Sequence, residues 1–81
     1  MKERYMIVTY IRKPNGKYDE ITEFKRHYRT RHLQSAKVII DLKEKKIIKN
    51  GINPHAEFDD MLEFYKKLLG NRLTPYLNNA A

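Results

Sequence analysis

Apolar residues in the first part of the chain form short runs that are typical of β-strands. Residues 5–11 are rich in β-branched and aromatic side chains, which favour an extended backbone. Pro14, Asn15 and Gly16 follow this run; proline restricts φ, and Asn and Gly tolerate the positive φ that tight turns require. We therefore predict a β-hairpin whose second arm runs from residue 18 to about residue 27.

The second arm of this hairpin fits two patterns. Alternation over residues 18–28 favours a strand, but the spacing of Phe24 and Tyr28 also fits one face of a helix. A strand would place Arg26 and Tyr28 on the same side as Phe24, so we expect the pairing to end or bulge near them. A helix over residues 19–32 is the alternative, and it would leave the surface equally basic.

A second pair of strand-like runs follows. Residues 36–42 are apolar and β-branched, the charged residues 43–46 come next, and residues 47–49 are again mainly apolar before Asn50 and Gly51. This order predicts a second hairpin. Because its loop contains no glycine, a four-residue connection built on a type I turn is favoured over a two-residue turn.

Beyond residue 52 the spacing of apolar residues changes to that of an amphipathic helix. The residues that recur at steps of three and four are Phe58, Met61, Leu62, Tyr65, Leu68 and Leu69. We expect Asn53 to cap this helix, Pro54 to occupy its first position, and Gly70 to end it. The apolar tail 73–77 is expected to fold back on the core, and residues 78–81 are expected to fray.

Together these elements predict an α+β fold: a mainly antiparallel sheet of about four strands, made of two hairpins, with one C-terminal helix packed on one face. The 81 residues suit a single domain, residues 1–81, with one modest core. No apolar run approaches the length of about 18 residues that a membrane span needs, and the N-terminal run is too short for a secretory signal. We therefore expect a soluble, cytoplasmic protein. Since there is no cysteine, its stability cannot come from disulfides or thiolate zinc sites.

The charge of the chain points to a class of partner. Seventeen Lys and Arg against ten Asp and Glu give a net charge of +7, which favours polyanions. Residues 1–53 hold fourteen of the basic residues and six of the acidic ones, so the basic surface belongs to the sheet and its loops. The predicted helix opens with acids, which disfavours a recognition helix in the major groove of DNA.

The densest basic segment is residues 24–32, which combine four Lys or Arg, two His and two aromatic residues with no acid. Cations that neutralise phosphates and rings that stack on bases are what a nucleic-acid surface requires. We therefore predict a small, non-enzymatic nucleic-acid-binding protein, with RNA or single-stranded DNA favoured over duplex DNA. Its predicted binding residues are Lys25, Arg26, His27, Tyr28, Arg29 and Arg31 of this segment, and Lys43, Lys45 and Lys46 of the second hairpin turn.

Alternatives to nucleic-acid binding stay open for these residues. A basic strand or loop is often only a solvated surface, and lysine-rich turns also protect sheet edges from aggregation. A competing hypothesis is a small regulatory or protein-interaction module that binds an acidic protein surface or forms a homodimer. Within the nucleic-acid hypothesis, the Lys and Arg side chains would contact phosphates, and Tyr28 or His27 would stack on bases.

No metal, cofactor or catalytic site is predicted. The three histidines lack metal-site spacing, there is no cysteine, and neither a nucleophile motif nor a phosphate-binding glycine loop is present. We therefore expect no small-molecule cofactor and no membrane partner. The remaining enzymatic alternative is a ribonuclease in which His27 or His32, beside Arg29 and Arg31, acts as a general acid or base.

Overall fold

The chain forms a four-stranded antiparallel sheet together with helical segments, which confirms the α+β class. A computed structural model describes residues 3–77. Its elements are β1 (Tyr5–Arg12), β2 (Tyr18–Lys25), α1 (Thr30–Ser35), β3 (Val38–Asp41), β4 (Lys46–Asn50), α2 (Phe58–Leu69), a 3-10 turn (Gly70–Arg72) and α3 (Thr74–Leu77). The strands lie in the order β2-β1-β3-β4, and all neighbouring pairs are antiparallel.

One end of the sheet brings all four strands together. Tyr5 at the start of β1 lies opposite Lys25 of β2 and also opposite Asp41 of β3, which in turn lies opposite Lys46 of β4. We call this the Tyr5 end. It is the end at which β2 leaves the sheet and at which β3 turns into β4, so both basic segments of the sequence lie at this end.

At the other end β1 and β2 extend beyond β3. Their pairing continues as far as Arg12 opposite Tyr18, whereas β3 begins at Val38 opposite Val8. Gly16 in the connecting turn has φ of +85°, a backbone conformation that glycine adopts without strain. The β1–β2 arm therefore projects as a two-stranded ribbon past the rest of the sheet.

Apolar side chains are buried on both faces of the sheet. The first cluster contains Met6, Val8, Val38, Ile40, Leu42, Met61, Tyr65, Leu69 and Leu73. The second contains Ile7, Ala36 and Ile39, with Tyr5, Tyr28 and Ile48 partly buried against it. Because successive strand residues point to opposite faces, the two clusters lie on opposite sides of β1 and β3. The pattern of the sequence did not predict the second cluster.

The second cluster exists because of the connection between β2 and β3. These strands run in the same direction on either side of β1, and such strands need a crossover of about a dozen residues or more. Residues 26–37 supply it, passing over the second cluster, where Ala36 is buried. The Lys49 ammonium group donates a hydrogen bond of 2.5 Å to the carbonyl of Leu33, which ties the crossover to β4.

The structure corrects the predicted end of the first hairpin. Pairing stops at Lys25, two residues before the expected end near residue 27, and residues 30–35 form α1, which was not predicted as a separate helix. The backbone N–H of Arg29 donates to Nδ1 of His32 at 2.8 Å, which closes the first turn of α1. The predicted break in pairing near residue 26 is confirmed.

Phe24 and Tyr28 do not share one side of the sheet, as they would in a continuous strand. Phe24 packs against the first cluster, whereas Tyr28 packs against the second. The chain leaves the sheet between these two residues, so strand alternation no longer applies to Tyr28.

The predicted start of the C-terminal helix is also corrected. Helix α2 begins at Phe58, with Glu57 at its N-cap, and not at Asn53 and Pro54. The Glu57 N–H donates to the carboxylate of Asp60 at 3.1 Å. Asn53 lies in a turn instead, where its N–H donates to the side-chain oxygen of Asn50 at 2.9 Å. The backbone N–H of Asn53, the residue expected to cap the helix, is therefore satisfied by an Asx turn with Asn50.

Smaller changes affect the second strand pair and the tail. Strand β3 begins at Val38 because Ala36 ends α1, and the connection to β4 is the four-residue segment 42–45. Leu73 of the tail is fully buried in the first cluster, as expected of a tail that folds back on the core. Residues 78–81, which were expected to fray, lie outside the described residues. None of the helices between residues 3 and 77 is long and apolar enough to cross a membrane.

Candidate nucleic-acid interface

A basic concavity of about 500 Å³ lies where the chain leaves β2 and enters α1. It is lined by Glu3, Phe24, Lys25, Arg26, His27, Arg29, Arg31 and His32. Five of the predicted binding residues are therefore brought together, and His32, which was not among them, joins the same site. The chain bends at Arg26 between β2 and α1, and side chains from both sides of the bend line the hollow.

Three of the four Lys and Arg side chains of the concavity form no ion pair among residues 3–77. Arg26, Arg29 and Arg31 are exposed, and their guanidinium groups form no ion pair within residues 3–77. Lys25 is half-buried at the end of β2, where its ammonium group lies 3.5 Å from the carboxylate of Glu23. Three arginines that line one hollow and have no ion pair within the described residues can donate several hydrogen bonds to phosphate oxygens.

The two aromatic residues of segment 24–32, Phe24 and Tyr28, each pack against another aromatic ring of the protein. Tyr28 meets Tyr5 edge to face, with ring centroids 4.8 Å apart. Phe24 is stacked on Tyr76 with centroids 3.8 Å apart. Tyr28, although predicted as a stacking residue, does not line the concavity, so His27 is the exposed ring of the segment.

The predicted lysines of the second hairpin turn form a separate group at the same end of the sheet. Lys43, Lys45 and Lys46 are all exposed, and none of them lines the basic concavity. Lys45 has φ of +56° in the turn and instead borders another hollow, of about 240 Å³, beside α2. The structure thus brings the turn lysines to the Tyr5 end without merging them with the first group.

An ion pair between the half-buried Arg4 and the buried Asp41 holds this lysine-rich turn in place. The Asp41 carboxylate, which is 1% exposed, accepts hydrogen bonds from the Arg4 guanidinium at 2.9 and 2.6 Å. It also accepts the backbone N–H groups of Lys43 and Glu44 at 3.1 and 3.0 Å. Burial acts to raise the pKa of Asp41, but these hydrogen bonds and the Arg4 charge outweigh it, so the pKa lies below its usual value. The sequence pattern gives no sign of this pair because its members are distant along the chain.

A second hollow, the side groove, adjoins the basic concavity. Its volume is about 310 Å³, and it is lined by Thr9, Ile11, Ile21, Glu23, Lys25, Arg31, His32 and Ser35. Lys25, Arg31 and His32 therefore border both hollows. Strand alternation in the sequence is enough to predict that Ile11 and Ile21 share one face of the first hairpin. The sequence does not show that α1 lies beside them, because this depends on the path of the crossover.

No group of three or more His, Cys, Asp or Glu side chains within residues 3–77 is arranged to hold a metal ion. No family model, curated protein or solved structure matches this chain. Function is therefore inferred from the side chains and the geometry of these hollows.

Proposed function

We propose that this protein is a small, non-enzymatic nucleic-acid-binding protein that binds RNA or single-stranded DNA through the basic concavity. The observation that carries the proposal is the convergence of four Lys or Arg and two His side chains on one hollow. Cations held close together replace the counterions of a phosphate backbone, and the release of those counterions drives binding. The net charge of +7 adds long-range attraction to the same partner.

Each group of residues has a role in this proposal. Arg26, Arg29 and Arg31 contact phosphate oxygens, because their guanidinium groups are exposed and unpaired within the described chain. Lys25 adds a further positive charge, and His27 offers a ring face to a base. The turn lysines 43, 45 and 46 extend the contact, since they share the Tyr5 end of the sheet with the concavity.

The sheet and the C-terminal helix act as the scaffold. In this proposal two hairpins form the sheet and the C-terminal helix packs on one face, so that the basic segment stays on the opposite side. The burial of Met61, Tyr65 and Leu69 in one cluster with strand residues supports this arrangement. Duplex DNA is disfavoured because α2 begins with Asp59 and Asp60, which would repel the phosphates beside a major groove.

The proposal is tested by fluorescence anisotropy with labelled single-stranded RNA, single-stranded DNA and duplex DNA at several salt concentrations. We expect affinity to fall steeply with salt and the single strands to bind more tightly than the duplex. Replacing Arg29 and Arg31 together by alanine should lower the slope of log affinity against log salt by about one to two units.

The matched control removes two arginines elsewhere, as Arg12→Ala with Arg72→Ala. Both residues are exposed and neither lines the basic concavity, so this variant should keep the wild-type slope. An unchanged slope in the Arg29 and Arg31 variant, or an equal loss in the control, would reject the concavity as the binding site. Weak binding that disappears equally for all three probes would favour the protein-interaction alternative.

A further inference from the structure

We infer that the side groove holds an unpaired base while the cations that it shares with the basic concavity hold the neighbouring phosphate, so that the ligand is a single strand. The inference rests on the proposed function and adds to it a site for the base. It depends on the way the two hollows share one wall.

The residues that line both hollows place positive charge between the basic concavity and the side groove, which contains two exposed isoleucines. Lys25, Arg31 and His32 border both hollows, so an anion held by them has the basic concavity on one side and the side groove on the other. The basic concavity adds Arg26 and Arg29, which suit further phosphates. A nucleotide has the same two-part character, with a charged phosphate next to a largely apolar base.

The floor of the side groove is apolar and open to solvent. Ile11 and Ile21 are 50% and 39% exposed, and Thr9 lies directly opposite Ile21 in the sheet. Alternation places these three side chains on the same face of the β1–β2 ribbon. A planar base laid across them would remove their apolar surface from water, which is favourable. Tyr28 and Phe24 are less suited to this contact, because each already packs against another ring, Tyr5 and Tyr76 respectively.

The size and the polar groups of the groove fit one base. Its volume of about 310 Å³ is at the lower end for sites that bury a small ligand. The Glu23 carboxylate lies 3.5 Å from the Lys25 ammonium group and disfavours a phosphate within the groove, so Arg31, which forms no ion pair among residues 3–77, is the main shared contact for the phosphate. The Glu23 carboxylate and the hydroxyl oxygens of Thr9 and Ser35 can accept hydrogen bonds from the N–H groups of a base.

The test compares two labelled oligodeoxynucleotides of equal length and equal phosphate number, one with bases and one abasic. Wild-type protein should bind the base-containing strand about tenfold more tightly at a given salt concentration, a difference of about 1.4 kcal/mol, because the base and the two isoleucines remove apolar surface from water. The salt slopes for the two strands should agree, since their phosphate contacts are the same.

Replacing Ile11 and Ile21 together by alanine should bring the two affinities close to each other without changing the salt slope. The matched control is Ile52→Ala with Leu68→Ala, which removes two other exposed apolar side chains, 43% and 53% exposed, and should keep the preference. A readout that needs no variant is the NMR spectrum of the isoleucine methyl groups. The signals of Ile11 and Ile21 should shift with the base-containing strand and not with the abasic one.

The outcomes separate this inference from the proposed function. Equal, salt-dependent binding of both strands by the wild type overturns the base site and leaves phosphate binding standing. Failure to bind either strand overturns both. A preference that survives the Ile11 and Ile21 variant, or methyl signals that do not respond, places the base elsewhere. If light scattering shows that the variant abolishes self-association of the wild type, the groove is covered by a second copy and the inference is rejected.

Discussion

Replacing Tyr65 by phenylalanine is expected to stabilise the protein, which is the opposite of the usual result of changing a core residue. Tyr65 has no exposed surface and belongs to the first cluster. Its hydroxyl group is buried without a hydrogen-bond partner among residues 3–77. Folding therefore removes this hydroxyl from water without providing a hydrogen-bond partner within the described residues.

The expected gain follows from this environment. A buried polar group without a partner costs about 1–3 kcal/mol, and phenylalanine removes that cost while keeping the ring. The edge-to-face contact with Phe64, at a centroid distance of 5.0 Å, is retained. The small void left by the oxygen offsets part of the gain, so we expect a net increase of about 1 kcal/mol in the free energy of unfolding.

Urea denaturation followed by circular dichroism measures this change. For a small protein the unfolding free energy falls by about 1 kcal/mol per molar urea, so the midpoint should rise by about 1 M with an unchanged slope. The control is Tyr10→Phe, because the Tyr10 hydroxyl donates to Glu20 at 3.3 Å. That variant should be neutral or slightly less stable. A lower midpoint for Tyr65→Phe would show that the hydroxyl is satisfied in solution and that the reasoning is wrong.

The same variant has a pH signature. Burial raises the pKa of Tyr65 above its ordinary value, and the nearby Tyr10 and Glu20 act in the same direction. Above about pH 10 the unfolded chain loses this proton while the folded protein keeps it, so wild-type stability falls as the pH rises. Tyr65→Phe should lose stability less steeply in that range.

Two further substitutions test the sheet. Asp41→Asn removes the charge that Arg4 binds, so we expect lower stability at neutral pH. Because the pKa of Asp41 is lowered in the folded protein, the stability that this carboxylate contributes to the wild type declines as the pH falls through about 4 and below. Urea midpoints of the variant should lack that decline. Ile39→Val, at a fully buried position of the second cluster, should cost about 0.5–1.5 kcal/mol, against at most about 0.5 kcal/mol for Ile11→Val at an exposed one. Equal thermal midpoints for the two valine variants would contradict a second buried face.

Part of the candidate site was predictable from the sequence. The concentration of Lys, Arg and His in residues 24–32 is a property of the sequence, and five of its predicted residues line one hollow. The role expected of Tyr28 was not predictable in the same way. Its ring is equally compatible with solvent and with a core, and only its contact with Tyr5 decides between them.

Local pattern by itself determined the strands, the long helix and the placement of charge. Period-two runs and the Pro14, Asn15 and Gly16 turn predicted the first strand pair, and apolar steps of three and four predicted α2. These features depend on neighbours within a few residues, so they are visible in the sequence. The tertiary structure alone decided the end of β2, the helix α1 and the second cluster.

The physical reason is the order of the strands. Because β2 and β3 run in the same direction on either side of β1, the chain has to cross the sheet, and residues 26–37 do so through a bend and a short helix. That requirement comes from pairing partners far apart in sequence. It places Arg31 and His32 beside Ile11 and Ile21, and so brings together the side groove and the basic concavity.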